Sequence, residues 1–536
     1  NHHHIRGLVG FNYEQDYQKN LYSTMMDIQS NNLNDFNLGN HTEGVSLEGG
    51  QYEWALESFF GRVGYDWKGR YLAEVNLRWD ASSRFRRDKR AAVFPSVSAG
   101  WRVSEEPFFA PIRNTFSNFK IRGSFGSLGN QAISSPYPYI QTLDLLQQNY
   151  LVNGEFLTYA SVSAPTAGNF TWETVVHGNL GLDLGFFNNR LTFAGDLYIR
   201  DTKDMLVPGK TLPGVYGAAS PKENAADLRT KGYELTLSWN DKFNLAGKPF
   251  TYGVSFALGD NISKITKYDN PTKDFNVSQY YEGMTIGEIW GYKIDGLFKT
   301  DEEAAAYQAE IDHSLIAKNI LQTATGKYKG LKAGDPKFVD LDGNGRIDDG
   351  EKTANNRGDM RVIGNSRPRY NYSGSINLGW NGFDISAFFQ GVGRQHRYPD
   401  GNAMLFWGGY ARPYSSFVPE HFLDDVWSED NPDAYFPKLR GYAAQGDRHL
   451  AKVNNRYLQN TAYCRLKNLT VGYTLPVDLT RKARIDRVRV YFSGDNLVTW
   501  TALKSKYIDP EQFSTDGSAR VYPFAKTFSF GLDITF

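Results

Sequence analysis

Apolar and polar side chains alternate one by one along much of this chain, and the apolar face of each alternating stretch carries no charge. Tyr71, Ala73, Val75, Leu77 and Trp79 share one face, while Glu74, Asn76 and Arg78 share the other. Leu191, Phe193, Leu197 and Ile199 oppose Thr192, Asp196 and Arg200, and Tyr233, Leu235, Leu237 and Trp239 oppose Glu234, Thr236 and Ser238. The same holds for Tyr252 to Leu258 and for Phe383 to Phe389. A period of two is the signature of a β-strand with unlike environments on its two faces. Strands of a soluble sandwich typically run only about 5 to 6 residues. From Tyr71 to Trp79 the contour is roughly 26 Å, and a tilt near 40° projects it to about 20 Å, close to the apolar band of an outer-membrane barrel.

Connection lengths test this independently. The pattern predicts about fourteen strands. They lie near 4–20, 51–67, 69–85, 92–105, 116–130, 176–187, 190–206, 227–241, 249–266, 368–380, 383–395, 460–475, 486–500 and 524–536. Short links such as Asn188-Asn189 and the hairpin pair Asn381-Gly382 alternate with long ones, the longest being 267–367 and 394–460. Short periplasmic turns and long extracellular loops alternate in this way in transmembrane barrels. The final strand therefore runs down into the periplasm. In it Phe528, Phe530, Leu532, Ile534 and Phe536 alternate with Ser529, Gly531, Asp533 and Thr535, and Phe528, Phe530 and Phe536 read as the barrel-insertion signal. An edge strand so long and apolar would be an aggregation hazard on a soluble protein.

Composition narrows the function. With 59 Lys and Arg against 59 Asp and Glu, the chain lacks the basic surplus of a nucleic-acid binder. Cys464 is the single cysteine, so no internal disulfide or thiol metal centre forms. No apolar run is long enough for a transmembrane helix, which leaves strands as the crossing element. His2-His3-His4 near the start is assigned no metal, and the opening residues have no charged and apolar leader, which points to a removed signal peptide or to a start within a larger protein. Metalloprotease, phosphate-loop, nucleophile-elbow and dinucleotide motifs are absent, and no carboxylate pair stands out for glycoside hydrolysis, so the reading is not an enzyme.

One chemical motif is specific. Residues 340–351, within the 267–367 loop, match the twelve-position calcium loop. Oxygen ligands would come from Asp340, Asp342, Asn344, the Arg346 carbonyl, Asp348 and a bidentate Glu351, with Gly345 making the sharp turn. Hard oxygen donors suit Ca²⁺ better than zinc or copper. No helix pair flanks the motif, so the expected role is a structural clamp on an extracellular loop. A helix is expected over 301–321.

The 394–460 loop carries Trp407, Tyr410, Tyr414, Phe417 and Trp427 with Arg394, Arg397, Arg412 and Asp400. Ring faces and planar hydrogen-bonding groups are what a sugar or an extended peptide needs, so Arg394, Arg397, Trp407, Tyr410, Tyr414 and Trp427 are the candidate substrate contacts. The alternative for each aromatic is packing within the loop or against a lid. Tyr137, Tyr139 and Tyr150 in an earlier loop stand in the same position.

Local strings then resemble one family. Tyr463-Cys464-Arg465-Leu466-Lys467-Asn468-Leu469-Thr470-Val471-Gly472-Tyr473-Thr474-Leu475-Pro476, followed by Val490-Tyr491-Phe492-Ser493-Gly494-Asp495-Asn496-Leu497, resembles the barrel of SusC/RagA TonB-dependent outer-membrane transporters. Gly334 to Asp340, Val362-Ile363-Gly364-Asn365, Gly382 to Gly391 and Asp509-Pro510-Glu511 extend the resemblance over most of the chain. Cys464 departs from the usual aliphatic residue, and Lys352 to Met360 reads as an insertion.

The resemblance implies an all-β, transmembrane barrel of 22 strands around a plug. This chain supplies about fourteen C-terminal strands, and the plug, the remaining strands and the TonB contact region lie outside it. It further implies oligosaccharide import with a SusD-like surface lipoprotein as lid, energised through TonB, in the outer membrane of a Gram-negative cell. Membrane lipid surrounds the barrel, and nucleic acid is not a partner. Oligopeptide import is the alternative within the family. A siderophore or cobalamin receptor and a soluble all-β glycan-binding protein are the alternatives outside it.

Overall fold

Left-handed turns join the alternating segments and fix how they pair. Asn381 and Gly382 sit at φ 47° and 88°, and Asn188 and Asn189 both at 60°. These are the positive φ values of a two-residue hairpin, whose twist matches that of the strands. At Gly382 a Cβ would also lie 2.7 Å from the Thr474 carbonyl, so glycine is required there twice over.

The computed structural model describes residues 2–536 except for single positions within 29–43, 132–136, 164–169 and 210–219, the stretches 276–279 and 318–329, positions 417, 419 and 447, and 516–523 apart from 518. Fourteen long strands form one sheet in which each pairs with its neighbours in sequence. They are β1 His3–Thr24, β2 Ser46–Trp67, β3 Tyr71–Ser82, β4 Ala91–Arg102, β5 Phe116–Asn130, β6 Glu173–Phe186 and β7 Leu191–Pro208. Then come β8 Lys222–Leu245, β9 Lys248–Lys267, β10 Arg369–Trp380, β11 Phe383–Arg394, β12 Tyr463–Thr474, β13 Arg487–Thr501 and β14 Thr527–Thr535. The fold class and number of strands are as expected, and among the described residues no helix is long and apolar enough to cross a membrane.

The chain divides into two compact units. In the first (residues 1–101, 122–178 and 200–228), the register sets Phe11 opposite Phe59, Phe59 opposite Trp79 and Trp79 opposite Val93. Val63, Val75 and Val97 form the next rung. These side chains leave the same face, and the three valines are 47–57% exposed. A contiguous apolar surface of this kind is stable only against another apolar medium. On the other face Arg62 meets Glu74 at 3.7 Å, and Arg78 binds Asp80 and Ser58 at 2.8 Å each. Trp67 stacks on Tyr71 and Tyr71 on Trp101 beside the short turn, an aromatic rim at an interface. A separate buried cluster of Phe85, Phe94, Phe170 and Trp172 closes the opposite ends of the strands.

The second unit (residues 102–121, 179–199 and 229–536) has the same two-faced wall. Tyr252, Val254, Phe256 and Leu258 pair with Leu378, Ile376, Gly374 and Tyr372. Arg369 grips Asp260 through two 2.5 Å hydrogen bonds. The two long loops of this unit are not separate excursions: 267–367 and 394–460 fold onto each other around one aromatic core. Tyr292, Ile294, Phe338 and Ile347 from the first loop join Phe406, Trp407, Tyr410, Phe422, Phe436 and Tyr457 from the second. Backbone bonds stitch them: Tyr292 N–H donates to Val453 O, Asn455 N–H to Tyr292 O and Lys438 N–H to Gly334 O. Asp335, 1% exposed, takes a bidentate pair from Arg440 at 2.8 and 2.7 Å. The 288–298 segment forms two short strands outside the main sheet, pairing with Arg361–Asn365 and Pro336–Phe338. The expected helix is α1, Asp301–Glu310, followed by a single helical turn at Ser314–Ala317; residues 318–321 lie outside the described residues.

Candidate functional site

The acidic loop winds as its sequence dictates. Asp340 accepts the N–H groups of Gly343 at 2.7 Å and Gly345 at 2.8 Å, and Asp342 accepts that of Asn344 at 3.1 Å. These short-range bonds are the habit of Asp in tight turns. Gly343 and Gly345 take φ of 77° and 79°. Burial works to raise the Asp340 pKa, but the N–H groups of Gly345, Gly343 and Asn344 outweigh it and hold the carboxyl below its ordinary range.

The structure brings three carboxylates together: oxygens of Asp340, Asp342 and Asp359 lie within 4.8 Å of one another. Asp359 was not among the expected ligands. It is fully buried, it accepts the N–H groups of Leu341 at 2.5 Å and Asp348 at 2.9 Å, and burial together with the charges of Asp342 and Asp340 pushes its pKa up.

The other expected ligands stand differently. Asn344 spends its side-chain oxygen on the Arg346 N–H at 2.8 Å. One oxygen of Asp348 takes the Gly350 N–H, and the other takes the Arg346 guanidinium at 2.8 Å. Glu351 is exposed, its N–H bonds to Asn356 O, and its carboxylate does not join the cluster. Asp359 takes the closing place because residues 351–357 loop out between Gly350 and Gly358, both left-handed at 54° and 52°. The sequence signal was the inserted stretch before Val362, whose end carries the missing carboxylate.

The six expected substrate contacts do not converge. Trp407 and Tyr410 are completely buried. Trp407 donates to Asp400 O at 3.0 Å and packs against Phe406 and Tyr457, and Tyr410 donates to Pro437 O at 2.5 Å. Trp427 is buried against Gly334, with Lys438 over its ring. Protein covers these three faces, which corrects their reading as substrate platforms: they are the core of the loop module. Arg394 is exposed at the end of β11, and Arg397 is half-buried beside Gln459. Tyr414 alone of the aromatics presents its ring, at 82% exposure. Phe417 lies outside the described residues. Phe528, Phe530 and Phe536 stand exposed on one face of β14 and its end, at 60%, 85% and 85%.

Comparison with known proteins places this architecture. Residues 2–310 match the model of the TonB dependent receptor-like, beta-barrel family. The chain is similar to TonB-dependent receptor P3 of Formosa agariphila, at 29% identity over 100% of this chain and 51% of that protein. It is similar to TonB-dependent receptor SusC of Bacteroides thetaiotaomicron, at 29% identity over 90% of this chain and 44% of that protein. Among solved structures it matches a chain of the RagAB peptide transporter with a TM-score of 0.75 at 23% identity, over 100% of this chain and 53% of that chain. The chain spans about half the length of the relatives it matches.

Proposed function

Because the chain belongs to the TonB-dependent receptor-like β-barrel family, of the SusC/RagA type, and so to the Gram-negative outer membrane, we propose that the protein it forms part of imports oligosaccharides, captured under a SusD-like lipoprotein lid and driven through TonB. The remaining barrel strands and the plug come from outside these residues. The observation that carries the reading is the likeness to SusC over 90% of the chain. Nutrient transport needs no chemistry from these residues, and the relatives found are named as receptors and transporters. The loop module supports capture: its aromatic core and the Asp335–Arg440 pair make it a rigid body on which a lid can close. Import of oligopeptides is the second reading, supported by the likeness in fold to the RagAB peptide transporter.

The acidic loop takes Ca²⁺ as a structural clamp in this reading. Asp340, Asp342 and Asp359 fit a hard cation: their oxygens are close, one carboxylate is fully buried, and a bound cation relieves their mutual repulsion. The cation would pin the 340–359 hairpin to the module.

Purifying the intact gene product from outer membranes in mild detergent, and identifying by mass spectrometry what accompanies it, tests the proposal. A stoichiometric SusD-like lipoprotein is expected. A barrel with no lipoprotein would favour a lidless small-ligand receptor.

A further inference from the structure

The surface of the loop module carries a group of side chains that neither its core nor the acidic loop uses. Tyr414 and Tyr442 stand with ring centroids 6.1 Å apart at 60°. The Arg448 guanidinium lies over the Tyr442 ring, 5.3 Å from its centroid, and donates to Gly441 O at 3.4 Å. Arg412, exposed, donates to the Asn402 side-chain oxygen at 3.3 Å. A hydrogen bond with Tyr414, and burial after it, hold the Tyr442 phenol above its ordinary range, and the nearby Arg412 and Arg448 guanidiniums oppose that shift. Among the described residues neither arginine is paired with a carboxylate, and the two positive charges stand beside two phenol rings.

The arrangement is held, not loose. Tyr442 has φ 62°, a left-handed conformation that a bulky side chain rarely adopts and that persists only where the surroundings fix it. The fixing is visible on both sides: Ala443 N–H donates to Arg440 O, Ala444 N–H to Tyr410 O and Leu450 N–H to Ala443 O, and all three residues are buried. On the other arm the N–H groups of Ser415 and Ser416 both donate to Arg412 O, which sets the turn that lifts Tyr414 out at 82% exposure.

We infer that Tyr414, Tyr442, Arg412 and Arg448 form a surface site for an acidic saccharide, the rings taking the apolar face of a sugar and the guanidiniums its carboxylate. Guanidinium forks match carboxylates in geometry as well as charge. Strand addition, one mode of peptide capture, uses main-chain groups along a strand edge, whereas this site is built from turns and offers side-chain faces. The inference rests on the oligosaccharide reading above and narrows it to glycans that carry uronate units.

The test uses the intact gene product in detergent, with any lipoprotein that accompanies it. Its binding to tetragalacturonate and tetramannuronate is titrated beside the carboxyl-reduced form of each, neutral maltotetraose and a mixed pentapeptide pool. At least one acidic tetramer is expected to bind, and its reduced form to bind on the order of tenfold more weakly. Combined Arg412→Gln and Arg448→Gln substitution should erase that difference. Tyr414→Ala should weaken acidic and reduced forms by similar factors, and Arg448→Lys should keep part of the discrimination. Unchanged tryptophan fluorescence confirms that each variant is folded. The inference is overturned if neither acidic tetramer binds, if both forms bind equally, or if the double arginine variant still discriminates. Binding of neutral sugar without acid preference defeats this inference alone, whereas binding of peptides alone defeats the oligosaccharide reading as well.

Discussion

A Cβ on Gly350 would lie 2.6 Å from the Gly358 nitrogen, and one on Gly358 would lie 2.6 Å from the Gly350 nitrogen. This crossing pinches off residues 351–357 and delivers Asp359, rather than Glu351, to Asp340 and Asp342. A cation bound there would tie two distant ends of one hairpin, which gives the first prediction. Adding Ca²⁺ to chelator-treated protein should raise the melting temperature of the loop module, by an increment worth about 2.7 kcal/mol at a hundredfold excess over Kd. Asp359→Asn should abolish that increment, and Glu351→Gln should leave it intact. Scanning fluorimetry in detergent reads both, and equal losses in the two variants would contradict the assignment.

Burial separates two aromatics that the sequence presents alike. Trp407 is enclosed by Phe406, Tyr398 and Tyr457, and Tyr414 projects into solvent. Trp407→Ala should destabilise the module by about 3–5 kcal/mol. Tyr414→Ala should change its stability by about 0.5 kcal/mol or less. Limited proteolysis of 394–460 in the two variants measures the contrast.

His449 is 6% exposed and its Nε2 has no hydrogen-bond partner among the described residues. Burial, aided by Arg440 and Arg448 and opposed by Asp335, pulls its pKa from the ordinary 6.5 down to about 4. The folded module therefore keeps the ring neutral while the unfolded chain protonates it. Stability is full above pH 6.5 and falls as the pH drops from 6.5 towards 4, by on the order of 3 kcal/mol in all. His449→Gln should flatten that slope. Melting curves of wild type and variant at pH 7.5, 6 and 4.5 test it, and parallel curves would contradict it.

Adjacent residues on β4 probe the two faces of the wall. Val97 stands on the apolar face opposite Val75, and Ser98 on the polar face opposite Glu74. Val97→Arg should cost about 2–4 kcal/mol if it sits near the bilayer midplane and should lower the yield of assembled protein. Ser98→Arg, beside Glu74, should be tolerated. Heat-modifiability on gels and outer-membrane abundance report assembly, and equal tolerance of the two arginines would contradict a lipid-facing Val97.

The strands were legible because their signal is local. Tyr71 to Trp79 needs no partner to show its two faces, and Asn381-Gly382 marks its own turn. Their ends were less so: β2 begins at Ser46, ahead of the expected 51, through Ser46-Leu47-Glu48-Gly49-Gly50, where neither face is consistently apolar and the period disappears. The loop module was not legible as one body. Its core joins Tyr292 to Val453 and Asp335 to Arg440, contacts more than a hundred residues apart in sequence that leave no periodic trace. For the same reason Trp407 and Tyr410 read as ligand contacts, since an aromatic in a loop looks the same whether it is covered or open. The winding of the acidic motif was legible through Gly345, because Asp340 and Asp342 hold N–H groups of their neighbours in sequence. That Asp359 rather than Glu351 comes to Asp340 and Asp342 was not legible, because it depends on a Gly–Gly crossing eight residues wide.

Import is the property on which the proposed function rests. The direct measurement is accumulation of labelled oligosaccharides and oligopeptides by cells with the gene intact, with the gene deleted, and with the gene intact but the proton gradient collapsed. Oligosaccharide import predicts that deletion and collapse each abolish accumulation of an oligosaccharide, and that deletion leaves peptide accumulation unaffected. Wild-type accumulation of every oligosaccharide in the deletion strain would contradict it, and loss of peptide uptake alone would move the protein to the second reading.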